Sequence, residues 1–377
     1  MNFELCRMYL EKLKLINFKN YLEAEFDFSS KINCFIGDNG AGKTNILDAI
    51  YYLSFCKSYF NPSDTQNIRH NEPFFAVHGT YHKNNNGGDQ LSVVQKRGQR
   101  KVFKLNDKEY ERLADHIGLY PLVMISPYDR DLINEGSEVR RKYIDSVISQ
   151  FDKVYLDNLI NYNKALQQRN VLLKRFAENN YFDAASLEIW SNKLASLGEK
   201  IYSKRKEFLN DFLPLFQHYF EFISGGKEEV AITYDSQIHD RSLEELLNTS
   251  VDRDRQVRYT TAGIHKDDLL MQINGYPLKK FGSQGQQKSY VVAIKLAQFE
   301  YTRDIKEFKP VLLLDDIFDK LDENRVKKII ELVSENSFGQ IFITDTQKER
   351  IENIFIQVNI DHRIFNIDDG TAAVVKE

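Results

Sequence analysis

The sequence predicts an α/β protein in which a phosphate-binding core carries an antiparallel β subdomain and an inserted helical arm or lid. Three features carry that expectation. A strand candidate, Ile32–Ile36, runs into a glycine-rich loop and then a helix. Short alternating runs crowd roughly the first 110 residues, and helical periodicity takes over between 138 and 222. Near the end come two unbroken apolar runs, Val311-Leu312-Leu313-Leu314 and Ile341-Phe342-Ile343. Such runs suit central strands covered on both faces of a parallel sheet. The expected layout is a head from 1–125 and 261–377 that meets in space, with 126–260 as the helical insertion.

The chain has 377 residues, 42% hydrophobic and 28% charged, enough to build a core without staples. No run of about 18 apolar residues exists, so no membrane helix is expected. The N-terminus lacks the apolar stretch of a secretory leader. Cys6, Cys34 and Cys56 form no C-x-x-C pair, which removes a zinc module and a disulfide framework and suits a reducing cytoplasm. A net charge of −4 excludes a uniformly basic coat but allows local basic patches.

In chain order, the run 10–18 reads as extended, Lys19-Asn20 as a turn, and Leu22, Ala24, Phe26 and Phe28 alternate with acids. Runs 75–81, 91–95 and 101–105 continue an antiparallel meander, with Asn84-Asn85-Asn86-Gly87-Gly88-Asp89 as a turn. Ile144, Val147, Ile148, Phe151, Tyr155 and Leu159 share one helical face. After a break at Asn179-Asn180, Leu187, Trp190, Leu194, Leu197 and Ile201 make a second seam. The two runs read equally as a projecting helical hairpin or as an ordinary packed helical subdomain.

The loop Gly37-Asp38-Asn39-Gly40-Ala41-Gly42-Lys43-Thr44 matches G-x-x-x-x-G-K-[ST] at every fixed position. Glycines let backbone N–H groups curl around phosphate oxygens, and the following helix start adds orphan donors and a positive dipole end. Lys43 is the candidate for the β/γ-phosphates of ATP, and the Thr44 hydroxyl for Mg²⁺. Asp315 and Asp316 follow the apolar run 311–314, where open α/β sheets bind ligands. On an extended strand they would point to opposite sides: Asp315 to Mg²⁺, Asp316 to the attacking water. The competing reading is a pair of acids capping a helix that starts near Asp322.

Ser283, Gln284, Gly285 and Gln286 precede another apolar-periodic run. A serine and a flexible glycine at a helix start make a second anion cradle, although the chain has one phosphate loop. The expectation is a cradle for ATP held by another copy, so that two chains sandwich two nucleotides. The plain alternative is an N-cap on a structural helix.

Together these blocks resemble the Walker A, signature, Walker B and D-loop (Leu321-Asp322) motifs of ABC-type, SMC-like ATPase heads. More narrowly, from about Met8 to Gly370, the sequence is similar to the RecF family of bacterial recombination proteins. The stretch Leu13-Lys14-Leu15-Ile16-Asn17-Phe18-Lys19-Asn20-Tyr21 resembles that family's first hairpin. Glu135-Gly136-Ser137 with Arg140-Arg141-Lys142-Tyr143-Ile144-Asp145 resembles the start of its arm, and Gly263-Ile264-His265-Lys266-Asp267-Asp268-Leu269 its G-P-H-R-D-D-L segment. Ile264, Lys266 and Tyr128 depart from the pattern, and Thr344-Asp345-Thr346 stands where transporters carry a switch histidine. The resemblance implies a weak, DNA-stimulated ATPase that dimerises on ATP, binds duplex, single-stranded or gapped DNA without sequence preference, works with RecR and RecO, and helps load a recombinase. An ABC transporter subunit and a P-loop kinase are the alternatives. Lys43 and Asp316 would be the catalytic pair, and residues 37–44, Ser283, Gln284, Gly285, Gln286 and Asp322 the nucleotide contacts.

Candidate DNA contacts are Lys96, Arg97, Arg100, Lys101 and Lys104; Arg169, Lys174 and Arg175; Lys204, Arg205 and Lys206; and Arg253, Arg255 and Arg258. Each cluster alone reads as a solvated face; jointly they would line a phosphate-contacting groove. His265 has no His/Cys cluster around it and no assigned role.

Overall fold

The structure is a computed structural model that describes residues 8–83, 86–317, 328, 338–347, 349 and 361–376. Leu321 and Asp322, the expected D-loop pair, lie outside the described residues. By packing, the chain divides into two units. Met1–Asp129, Phe222–Gly225 and Gln284–Glu377 form the first, and Arg130–Glu221 with Gly226–Ser283 the second. The second unit opens at Arg130 and closes at Ser283, whereas the sequence predicts the insertion over 126–260. The cause is a small sheet inside it: Val230–Asp235 pairs antiparallel with Asp268–Ile273, holding the later segment in the second unit.

The first unit contains two six-stranded sheets. One is antiparallel: Tyr21–Asp27, Met8–Phe18, Phe74–Lys83, Asn86–Lys96, Val102–Leu105 and Lys108–Glu109, in that order. Phe18 pairs with Tyr21 across the two-residue turn, where Lys19 takes φ 53°. Leu22, near the start of the edge strand Tyr21–Asp27, is exposed, whereas Phe26 in the same alternation is buried. Asn86 to Asp89, expected as turn, is strand, with Asp89 opposite Tyr81.

The other sheet has the order Thr371–Lys376, His362–Asp368, Ile32–Ile36, Ile341–Asp345, Val311–Asp315 and Leu122–Ile125. Its inner pairs are parallel, and the final hairpin adds an antiparallel edge. The helix Lys43–Phe55 contacts strands of both sheets, and eleven of its thirteen residues are buried. Phe26 and Phe28 meet Phe35, Phe342 and Phe365 edge-on in the same core. Such aromatic contacts add about 0.5–1.5 kcal/mol each beyond area burial.

The second unit is largely helical: Ser137–Ser149, Lys153–Glu178 and the part of Ala184–Ser224 up to Glu221. The expected single face across 144–159 is broken, because Asp152 caps a new helix by accepting from the Tyr155 N–H. The second seam holds: Leu187, Leu194 and Ile201 are buried, with Trp190 and Leu197 half-buried. Leu173 and Phe176 pack with Leu187 where the two long helices join.

Candidate nucleotide site

Strand Ile32–Ile36 is buried at all five residues and flanked by parallel strands on both sides, so its carboxyl end is rigid. The chain leaves it through Gly37 (φ 150°) and reaches the helix through Gly42 (φ 114°). A Cβ on Gly37 would lie 2.2 Å from the Ile367 carbonyl oxygen, and one on Gly42 2.5 Å from the Asn20 amide nitrogen. Neither position admits a side chain. The helix Lys43–Phe55 starts with no side-chain cap and no acidic residue in its first turn. Its orphan N–H groups and positive dipole end therefore face the loop without a competing carboxylate, which suits a phosphate.

Three further residues brace the loop. Asn20 donates from Nδ2 to the Ala41 carbonyl at 3.0 Å and accepts from Asn45 Nδ2 at 2.8 Å. The Tyr21 hydroxyl donates to the Gly42 carbonyl at 3.1 Å. From the far end of the chain, the Gly370 N–H donates to the same Ala41 carbonyl at 3.0 Å. The sequence signalled Asn20 as a turn residue, not as a brace.

Lys43 is buried, and its ammonium donates to the carbonyls of Gly37 (2.7 Å) and Asp38 (2.8 Å). Burial pulls its pKa down, against the carboxylates of Asp316, Asp315, Asp345 and Asp38. Thr44 Oγ1 donates to Asp315 Oδ1 at 2.9 Å, and Thr344 Oγ1 donates to the same oxygen at 2.8 Å. Burial pushes the Asp315 carboxyl up from its ordinary value; those two hydroxyls oppose the shift and Asp316 adds to it.

Asp315 ends its strand, but Asp316 is not extended: it takes φ 48°, and its N–H donates to Thr344 Oγ1 at 3.0 Å. The simple alternation argument for opposed carboxylates fails there, because the left-handed residue leaves the pleat. Both carboxylates act on the Lys43 ammonium.

The donor set fits Mg-ATP. A threonine hydroxyl beside one buried carboxylate at a phosphate loop matches a cation that keeps waters and takes phosphate oxygens. Among the described residues no group of three or more His, Cys, Asp or Glu forms a dedicated metal cage.

Ser283 ends the second unit and Gln284 opens the helix Gln284–Lys306 of the first. Ser283 and Gln284 are exposed, and Gly285 and Gln286 are half-buried. His265 is half-buried in the second unit, with Nδ1 paired to the Tyr162 hydroxyl at 2.9 Å and Nε2 to the Thr260 carbonyl at 3.1 Å. Asp267 and Asp268 are engaged by Arg205 and Arg140. That segment is a structural strut.

Several candidate DNA cations are unavailable. Arg169 is fully buried, paired to Asp254 at 2.6 Å and bonded to Thr260 and Ser191. Arg205 is 2% exposed and holds Asp145 at 2.9 Å and Asp267 at 3.0 Å. Lys101 is tied to Asp64, Tyr52 and the Cys56 carbonyl. Both arginines extend buried helical faces: Arg205 follows Ile201 by four, and Arg169 sits between Ala165 and Leu173. Periodicity could have found them. Lys96, Lys174, Arg175, Lys206, Arg253, Arg255 and Arg258 are exposed.

The chain is similar to known proteins along nearly its whole length. Residues 9–367 match the family model described as RecF/RecN/SMC N terminal domain. A DNA replication and repair protein RecF from Flavobacterium johnsoniae is 52% identical, covering 96% of this chain and all of that one. The RecF of Phocaeicola vulgatus is 48% identical, covering 98% and 99%. A solved structure of the recombination mediator protein RecF with ATP, in the RecFOR pathway, superposes with a TM-score of 0.88 at 31% identity, covering 98% of each chain. A Pyrococcus furiosus Smc head, TM-score 0.57 at 18% identity and covering 98% of this chain and 96% of that one, shares the fold.

Proposed function

The chain belongs to the RecF family of DNA replication and repair proteins, and from that membership we propose a mechanism in which ATP closes two copies of it on DNA. The protein is an ABC-type ATPase of DNA repair whose cofactor is ATP with Mg²⁺. Loop 37–44 wraps the phosphates, and Lys43 moves from the Gly37 and Asp38 carbonyls to the β/γ-phosphates. Thr44 and Asp315 would hold Mg²⁺, which when bound would supply positive charge to offset the charge that develops on the phosphates. Asp316 orients the attacking water and takes its proton.

Ser283, Gln284 and Gln286, presented at a helix start, complete the γ-phosphate contacts of a second copy. Asp322 is proposed for the same interface. Hydrolysis removes the shared phosphate and releases the pair. DNA is held through phosphates by exposed cations such as Lys174 and Arg253, and RecR and RecO are the proposed protein partners. A cytoplasmic site of action fits this role; among the described residues no helix is long and apolar enough to cross a membrane.

The observation that carries the reading is the hydrogen bond from Thr44 to Asp315, which joins the phosphate loop to the carboxylate strand. Phosphate release with and without gapped duplex tests it. Stimulation by DNA is expected; ATP turnover indifferent to DNA, or phosphate appearing on a small acceptor, would contradict it.

A further inference from the structure

One hydroxyl touches both aspartates of the site, the carboxylate of Asp315 and the backbone of Asp316. Strand Ile341–Asp345 pairs in parallel with Val311–Asp315, and the register sets Thr344 opposite Asp315. Thr344 is 1% exposed, so its hydroxyl must find partners within the protein. It donates to Asp315 Oδ1 at 2.8 Å and accepts the Asp316 N–H at 3.0 Å. The second bond supports an unusual backbone. Asp316 takes φ 48°, a left-handed conformation that a residue with a Cβ keeps when its surroundings fix it.

The first bond selects an oxygen. Asp315 Oδ1 also accepts from Thr44 Oγ1 at 2.9 Å, so two hydroxyls occupy its lone pairs and Oδ2 is the oxygen presented for a cation. Valine would fill the same volume and supply neither bond. Serine would supply both.

We infer that Thr344 is the positioning residue that sets the carboxylate of Asp315 for the cation and the backbone of Asp316 for the water. It touches no substrate; it acts through the two aspartates. Its assignment rests on reading the site as a Mg-ATP site, and it makes a statement about cation affinity separate from nucleotide affinity. Partners that orient a metal ligand change metal affinity or activity by about 10–100-fold when removed.

The test titrates Mg²⁺ against a fluorescent ATP analogue bound to full-length wild type, Thr344→Val and Thr344→Ser, beside an EDTA control and phosphate release. For Thr344→Val, affinity in EDTA stays within about twofold of wild type, while the Mg²⁺ needed for half-maximal effect rises about tenfold or more and turnover falls at least as far. Thr344→Ser returns both within about threefold of wild type, the rescue a merely structural role would not give. Unchanged Mg²⁺ dependence in Thr344→Val, or a Thr344→Ser protein as impaired as Thr344→Val, overturns the inference. If Thr344→Val does not fold, Thr344→Ala is titrated instead under the same criteria. A wild type whose nucleotide affinity ignores Mg²⁺ would instead sink the reading of the site itself.

Discussion

Thr44 Oγ1 and Asp315 Oδ1 lie 2.9 Å apart although 271 residues separate them in the chain. The contact exists because Ile32–Ile36 and Val311–Asp315 run parallel on either side of Ile341–Asp345, so their carboxyl ends open on one edge. A phosphate loop and the carboxylate proposed for the metal, from opposite ends of the sequence, thereby become one site.

Asn20 braces that site from the first hairpin. Asn20→Ala removes the donor to Ala41 and the acceptor for Asn45, contacts worth about 1 kcal/mol each. Nucleotide affinity is expected to fall about 5–30-fold by equilibrium titration. The brace is refuted if affinity is unchanged.

The buried arginines and the exposed ones separate in their consequences. Arg205→Ala leaves Asp145 and Asp267 without their shared cation, a loss of about 3–5 kcal/mol by urea denaturation. Lys174→Glu with Arg253→Glu, both at exposed positions, is expected to leave the denaturation midpoint in place while weakening DNA binding and flattening its salt dependence. Unaltered DNA affinity in the double variant would remove these cations from the proposed surface.

Two histidines, His116 buried and His265 half-buried, set a pH dependence. Burial lowers both His116 and His265 to about 4. The unfolded value is about 6.5, so the unfolded chain binds more protons between the two values. The stabilising contribution is complete above about pH 6.5 and is lost as pH falls toward 4. Between pH 7.5 and 5 each histidine accounts for about 2 kcal/mol. A urea midpoint that does not move over that interval would contradict the assignment.

The strand, glycine loop and carboxylate run were legible because each carries its own residue signature. Thr344 was not, since its importance comes from a register between strands with no local pattern. Asn20 read as a turn because its amide meets the loop only after the hairpin docks. Asp316 misled the alternation argument because the left-handed turn begins one residue after the strand ends. Arg169 and Arg205 looked like solvated charge on long helices, yet each continues a buried periodic face, paired there with aspartates. The later boundary of the insertion followed from a strand pairing that composition does not mark.

Sedimentation velocity with Mg²⁺ and either ADP or a non-hydrolysable ATP analogue tests the proposed shared γ-phosphate most directly. Wild type is expected to sediment as a monomer with ADP and as a dimer with the analogue. Ser283→Arg should bind the analogue and remain monomeric, and Asp316→Asn should stay dimeric in ATP itself. Identical sedimentation of wild type in ADP and in the analogue, or a Ser283→Arg protein that still pairs, would contradict a phosphate held between two copies.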